Sequence, residues 1–355
     1  MRTDARLRRL GLLAAAALLL VGLAVFALHR ETSEGARAYQ PTEFLPGLAA
    51  HLGEVARIHF ASKNGAFDVD FTPERGWTLP GHDDYPASYD EVHRTLVGLA
   101  ALQTLEPKTA RKDWLHFLGL DAPPQGGGTA ITLYDDKGHV MADVITGNTE
   151  DIGDPSGETG LYVRKANSTQ SYLASAVYVP HGDAAAWLDK NVLDIDPARI
   201  AEVDVDPASG PSYELRRAIP TDSDFSLSPV PRGHEADPAA LGGVADAVTG
   251  FAFDDVAPAR DFDFSQASRL VTKCFDGLMI LTGTIQKDGA TWVVISARPL
   301  PGSMTHMEAV QKEAGAIDAR AAGWAYRLSA DKAAQFTTPL ESLLMPKPQP
   351  GKPAP

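Results

Sequence analysis

Ala56-Arg-Ile-His-Phe-Ala-Ser-Lys-Asn64-Gly65-Ala-Phe67-Asp-Val-Asp-Phe71, followed shortly by Trp77-Thr-Leu79, carries the pattern from which the architecture is read. In Phe67 to Phe71 apolar and acidic residues alternate, the period-two signature of a strand with one buried face and one wet face. Asn64-Gly65 predicts a type I′ turn, whose two left-handed positions suit Asn and Gly, so a hairpin is expected here. Ser88-Tyr-Asp-Glu91 has the spacing of a capping box, in which the Ser side chain accepts from a helix N–H and the Glu reaches back. Behind it Val92, Leu96, Leu99 and Leu102 recur at helical spacing and mark one buried face.

The same order of features returns roughly 140 to 150 residues later. Ala56-Arg57-Ile58 is echoed by Ala198-Arg199-Ile200, and the alternating runs by Tyr213-Glu-Leu215 and Phe225-Ser-Leu227. Asp237-Pro238 caps a second helix through Leu241, Val244, Val248 and Phe251. A hairpin from Ile131 to Ile145 about Asp136-Lys-Gly138 pairs with one from Leu278 to Ile295 about Asp288-Gly289. The second copy adds a helix that opens with the capping box Thr305-His-Met-Glu308, runs through Val310, Ala314 and Ile317, and stops at Gly323. Each copy closes on a short amphipathic segment, Ala186 to Leu193 and Phe336 to Leu344. The expected fold class is therefore α+β: an N-terminal transmembrane helix, then two duplicated α+β units, at 40–193 and 194–345, with mostly antiparallel sheets.

Taken together, Ala56-Arg-Ile58, Gly76-Trp77, Tyr85-Pro-Ala87, Leu99-Ala-Ala-Leu102, Glu106-Pro107, Leu118-Gly-Leu120, Gly160-Leu-Tyr-Val-Arg164 and Trp187-Leu188 resemble domain-of-unknown-function family 4340 over roughly Tyr39 to Pro346. These motifs are turns, strands and helix faces. The resemblance implies an envelope protein associated with auxiliary components of ABC transport systems of the gliding-motility type. It implies no reaction and carries no catalytic residues over.

Composition bounds the function. The chain has 355 residues, 44% of them hydrophobic, and a net charge of -14, which argues against a phosphate-binding surface and so against nucleic acid as a partner. Leu10 to Leu28 contains only Leu, Gly, Ala, Val and Phe, long enough as a helix to cross a bilayer core. Arg2, Arg6, Arg8 and Arg9 in the segment 1–9 place the N-terminus in the cytoplasm by the positive-inside rule. The expectation is a single-pass inner-membrane protein with a tether at 29–39 and a periplasmic domain beyond it. The alternative is a signal peptide cleaved after Val25-Phe26-Ala27. The tail 346–355 alternates Pro too densely for helix or sheet and reads as polyproline II. A single cysteine, Cys274, excludes an internal disulfide.

No constellation for catalysis, metal or cofactor stands out, so no cofactor is expected. Asp204-Val-Asp206 resembles the start of a calcium loop but lacks the carboxylate twelve positions along. Gly126-Gly-Gly128 and Gly153-Asp-Pro-Ser-Gly157 lack the residues that complete a phosphate loop. Ser329-Ala-Asp-Lys332 has the spacing of a Ser–Lys nucleophile without its usual companions. The acidic pairs, Asp135-Asp136 among them, and Ser329 motivate one alternative, a cell-wall glycan or peptide binder or hydrolase. The acidic balance motivates another, a binding module for a cationic ligand. His82, Asp83, Asp84 and Tyr85, on the loop Pro80 to Pro86, form the best candidate interaction loop: an aromatic, an imidazole and two carboxylates between a strand and a helix. The leading expectation is an extracytoplasmic accessory or interaction protein of an envelope assembly, auxiliary to an ABC transport system.

Overall fold

A computed structural model describes residues 40–153, 157–302 and 307–347. Two antiparallel sheets dominate it. The first has ten strands, eight of which run in the spatial order Gly76–Leu79, Gly65–Thr72, Val55–Ser62, Thr129–Asp135, Val140–Glu150, Thr159–Lys165, Ser171–Ala176, Gln103–Pro107. Tyr85–Pro86 and Thr42–Glu43 extend its two ends. The second sheet repeats that order in eight strands: Ser226–Ser228, Tyr213–Arg216, Ile200–Asp206, Ser268–Cys274, Leu278–Lys287, Ala290–Pro299, Trp324–Leu328, Asp255–Pro258.

Helices are sparse. Helix α1 (Tyr89–Ala100) belongs to the first unit, and α2 (Pro238–Ala245), α3 (Met307–Ala321) and α4 (Ala330–Thr337) to the second. The expected α+β class is thus corrected to a predominantly antiparallel β architecture. Among the described residues no helix is long and apolar enough to cross a membrane, and the longest, α3, has 15 residues. The expected span at Leu10–Leu28 and its flanks, the N-cap at Thr305 and most of the Pro-rich tail lie outside the described residues. Of the closing segments read as amphipathic, the first is largely irregular chain after one turn, and the second runs from the end of α4 into a 3-10 turn. Ala184–Trp187 is a single 3-10 turn, after which the chain straightens and Leu188 forms a bridge with Ala87. Beyond α4, Pro339 precedes another 3-10 turn, Leu340–Leu343.

Register relates the two units more closely than the sequence pattern does. Val55–Ser62 pairs with Thr129–Asp135 through a bulge between Val55 and Arg57. Ile200–Asp206 pairs with Ser268–Cys274 through a bulge between Ile200 and Glu202. Ile200 therefore stands where Val55 stands, and the equivalence of Ala56-Arg57-Ile58 with Ala198-Arg199-Ile200 is corrected by three residues. By the same register Phe67 matches Tyr213, and Trp77 matches Phe225. The hairpin pairing is also corrected, by one strand: Thr129–Glu150 occupies the place of Ser268–Lys287.

Turn chemistry differs from expectation at one hairpin. Ser62 pairs with Gly65, so Lys63 and Asn64 form the loop and neither has positive φ; the turn is not type I′. Asp288 (φ 54°) and Gly289 (φ 77°), between the paired Lys287 and Ala290, do adopt it.

Both helix starts are fastened alike. Ser88 accepts from the Glu91 N–H and Asp237 from those of Ala239 and Ala240. Their own N–H groups donate to Trp187 O at 2.7 Å and Leu343 O at 2.9 Å. One apolar core runs through both units, from Phe44 to Leu343. In the first unit Trp187 is fully buried, its ring centroid 4.8 Å from that of Phe60, and its indole N–H donates to His181 O at 2.9 Å. Trp187→Ala is expected to cost about 3–5 kcal/mol, the range for emptying a buried large aromatic site. Denaturant unfolding of the two proteins measures the difference.

Candidate functional site

The loop singled out in the sequence is turned inward onto the second unit. His82 Nε2 lies 3.2 Å from Asp255, and Arg260 donates to Asp83 at 2.6 Å. Tyr85 is 2% exposed, and its ring meets Trp324 edge-on at 5.0 Å, with Phe253 and Tyr326 next to it. Its hydroxyl donates to Asp189 O at 2.9 Å. Only Asp84 stays within its own unit, paired with Arg75 at 2.7 Å. Asp83 and Asp84 both have positive φ, 54° and 62°, a conformation that Asp tolerates better than most residues and that turns the loop sharply. Three of the four residues, His82, Asp83 and Tyr85, contact the second unit of the same chain.

The connection between the units is similarly pinned. Lys190 Nζ donates to Phe253 O at 2.7 Å and lies 4.0 Å from the centre of the Phe253 ring. The Gly250 N–H donates to Asp194 at 3.0 Å, and Arg320 Nε to Val192 O at 3.3 Å. A polar cleft of about 470 Å³ lies between these groups, but Lys190, Asp194 and Arg320 each hold backbone atoms at its walls. The hydrogen bond with His82, against the opposing effect of burial, keeps the Asp255 carboxyl below the usual carboxylate range.

Other candidates have structural roles. Ser329 caps α4 by accepting from the Lys332 N–H at 3.3 Å, while Lys332 Nζ donates to Thr249 O at 2.8 Å and Asp246 O at 3.3 Å. The ammonium thus serves backbone carbonyls of the 3-10 turn Asp246–Val248 and its C-cap, not the hydroxyl. Asp135 accepts from the N–H groups of Lys137 and His139, holding its turn. At Gly126 a Cβ would fall 2.3 Å from Asp121 O, so this glycine permits a close chain contact. Burial pushes the Cys274 thiol up to about 12, away from the reactive thiolate.

Glu202, Asp204 and Glu214 bring carboxylate oxygens within 4.8 Å of one another. Strand pairing assembles them, and Asp204 joins by that route, not through a calcium loop. Lys273 bridges Glu202 and Asp204, and Arg216 bridges Glu202 and Glu214, so the negative charge is met from within. Burial would raise the Glu202 carboxyl, but these two cations hold it below its ordinary range.

A surface feature rich in aromatics is on the first unit. Leu52, Val55, Phe71, Trp77, Tyr89 and Val97 line a groove of about 340 Å³ between α1, the 3-10 helix Leu48–Glu54 and the sheet. Tyr89 is 69% exposed and Phe71 43%. Phe71 and Trp77 are directly cross-strand, their centroids 5.4 Å apart, and Tyr89 stacks on His93 at 5.9 Å. Single exposed apolar residues need no explanation, but here several aromatics converge on one concavity. Alternation placed Phe71 on the same face as Phe67 and Val69, yet it stays 43% exposed at the groove. A signal existed in the second unit, where the matching residue is not aromatic.

The model of a family described as "Domain of unknown function (DUF4340)" matches residues 77–269, more than half of the chain. The chain belongs to this family. No curated protein and no solved structure matches it. In this DUF4340 protein the matched stretch begins at Trp77 in the groove and ends inside Ser268–Cys274, so it spans the junction and coincides with neither unit alone.

Two outcomes test these assignments. Because the folded Asp255 carboxyl lies below its unfolded value of about 3.9, its contribution is present above that pH and lost as pH falls through the folded pKa. The acid limb of the stability curve below about pH 4 should accordingly flatten in Asp255→Asn, as measured by denaturant unfolding at each pH. Ser329→Ala should cost about 1 kcal/mol, the usual worth of an N-cap, read from the same unfolding curves.

Proposed function

We propose that this DUF4340 protein is an extracytoplasmic accessory protein of an envelope assembly, auxiliary to an ABC transport system, that binds its partner without transforming it. The single observation that supports a binding role is the aromatic groove of the first unit, with Tyr89 and Phe71 largely uncovered. A scaffold suited to presenting such a groove is rigid, and the buried Tyr85 and the ion pairs of His82 and Asp83 join the two units in one core. The compartment rests on the sequence alone: basic residues before the apolar run Leu10 to Leu28. The transport association rests on the family resemblance.

A photo-cross-linking residue at position 89 of the full-length protein, activated in native membranes, should yield an adduct containing a transporter subunit. The same probe at Val140, which is 58% exposed and outside the groove, should not. Adducts with wall fragments only, or equal adducts from both positions, would overturn the proposal.

A further inference from the structure

The second unit shows what its equivalent of the groove is built to hold. Glu202 pairs with Arg216 as Arg57 pairs with Asp70, so the next residue, Arg217, stands where Phe71 stands. Arg217 is 8% exposed. Its Nε and Nη2 donate to Ile200 O at 3.1 and 2.6 Å, Nη2 also to Pro197 O at 2.6 Å, and Nη1 to Asp222 O at 3.1 Å. The guanidinium lies 4.8 Å from the centre of Phe225, the match of Trp77, and 5.8 Å from that of Phe275. Carbonyl acceptors along its edge and aromatic rings beside it suit a planar cation.

The first unit keeps the frame of this site without the arginine. Ile200 corresponds to Val55, and the Ile200 N–H donates to Pro197 O just as the Val55 N–H donates to Leu52 O. A carbonyl has two lone pairs, and Pro197 O uses its second for Arg217. Leu52 and Val55 line the groove, as do Trp77 and the substituted residue Phe71. Tyr89 adds a further ring at the first turn of α1. The chain is acidic overall, with a charge of -14.

We infer that the groove of the first unit receives an arginine side chain from a basic segment of the partner protein, stacked on Trp77, Phe71 and Tyr89 and hydrogen-bonded to the carbonyls that match those of Pro197 and Ile200. This rests on the groove being a partner-binding surface, and it names the chemistry of what enters. A guanidinium brought in by a partner completes in the first unit what Arg217 completes in the second.

The test uses the full chain in detergent and two capped pentapeptides, Gly-Gly-Arg-Gly-Gly and the same peptide with citrulline for arginine. Citrulline keeps the shape and removes the charge. Chemical-shift or indole-fluorescence titration should show the arginine peptide binding about tenfold more tightly than the citrulline one. Phe71→Arg should fill the groove from within and weaken arginine-peptide binding by about the same factor, with an unchanged melting temperature showing that the fold is intact. Equal affinity for the two peptides, or no binding of the arginine peptide, overturns the inference without needing any variant. If that happens while the position-89 adduct with a transporter subunit persists, only the arginine chemistry fails; loss of both removes the binding reading itself.

Discussion

Tyr85 carries the structure's central constraint. A phenol ring from a two-residue edge strand of the first sheet is buried among Phe253, Trp324 and Tyr326 of the second unit, and its hydroxyl is satisfied by Asp189 O. Aromatic rings in edge-on contact contribute beyond the area they bury, and a buried hydroxyl is tolerated only with its partner in place. The half-buried His82–Asp255 contact and the Asp83–Arg260 ion pair sit around this contact, and the exposure of the latter makes it worth little alone. The aromatic contact joins the units, and the charged loop sets its register.

That constraint also shows in how the polar groups are engaged. The loop richest in recognisable chemistry is spent inside the molecule, and so are the acidic cluster at Glu202, the Lys332 ammonium and the Cys274 thiol. The groove is lined mostly by aromatic and aliphatic groups, with His93 among them. Its meaning emerges from the duplication, because one unit holds Arg217 where the other holds Phe71.

Features with a local physical cause were legible in the sequence. The capping residues Ser88 and Asp237 mark helix starts because the hydrogen bonds they accept are within a few residues. The alternation at Phe67 to Phe71 and its echoes at Tyr213 and Phe225 show in the sequence because a strand face repeats every second residue. Strand register was not legible, since bulges beside Ala56 and Ala201 displace the pairing without any compositional sign. The balance of classes was not legible because the helices expected from caps and periodicity form but are few and short beside the strands, two of them only eight residues long. The inward turn of His82 to Tyr85 depends on residues more than 150 positions away, and no local pattern encodes it.

The duplicated strands carry their ion pairs in opposite polarity. Arg57 faces Asp70 in the first unit, whereas Glu202 faces Arg216 in the second. Two similar hairpins on one chain invite exchange of strands during folding, a common failure of repeated architectures. If Val55–Ser62 took Tyr213–Arg216 as its neighbour, Arg57 would face Arg216, and the reciprocal error would set Glu202 against Asp70. Like charges directly opposite destabilise an antiparallel pair. The reversed polarity therefore disfavours the exchanged pairing relative to the native one.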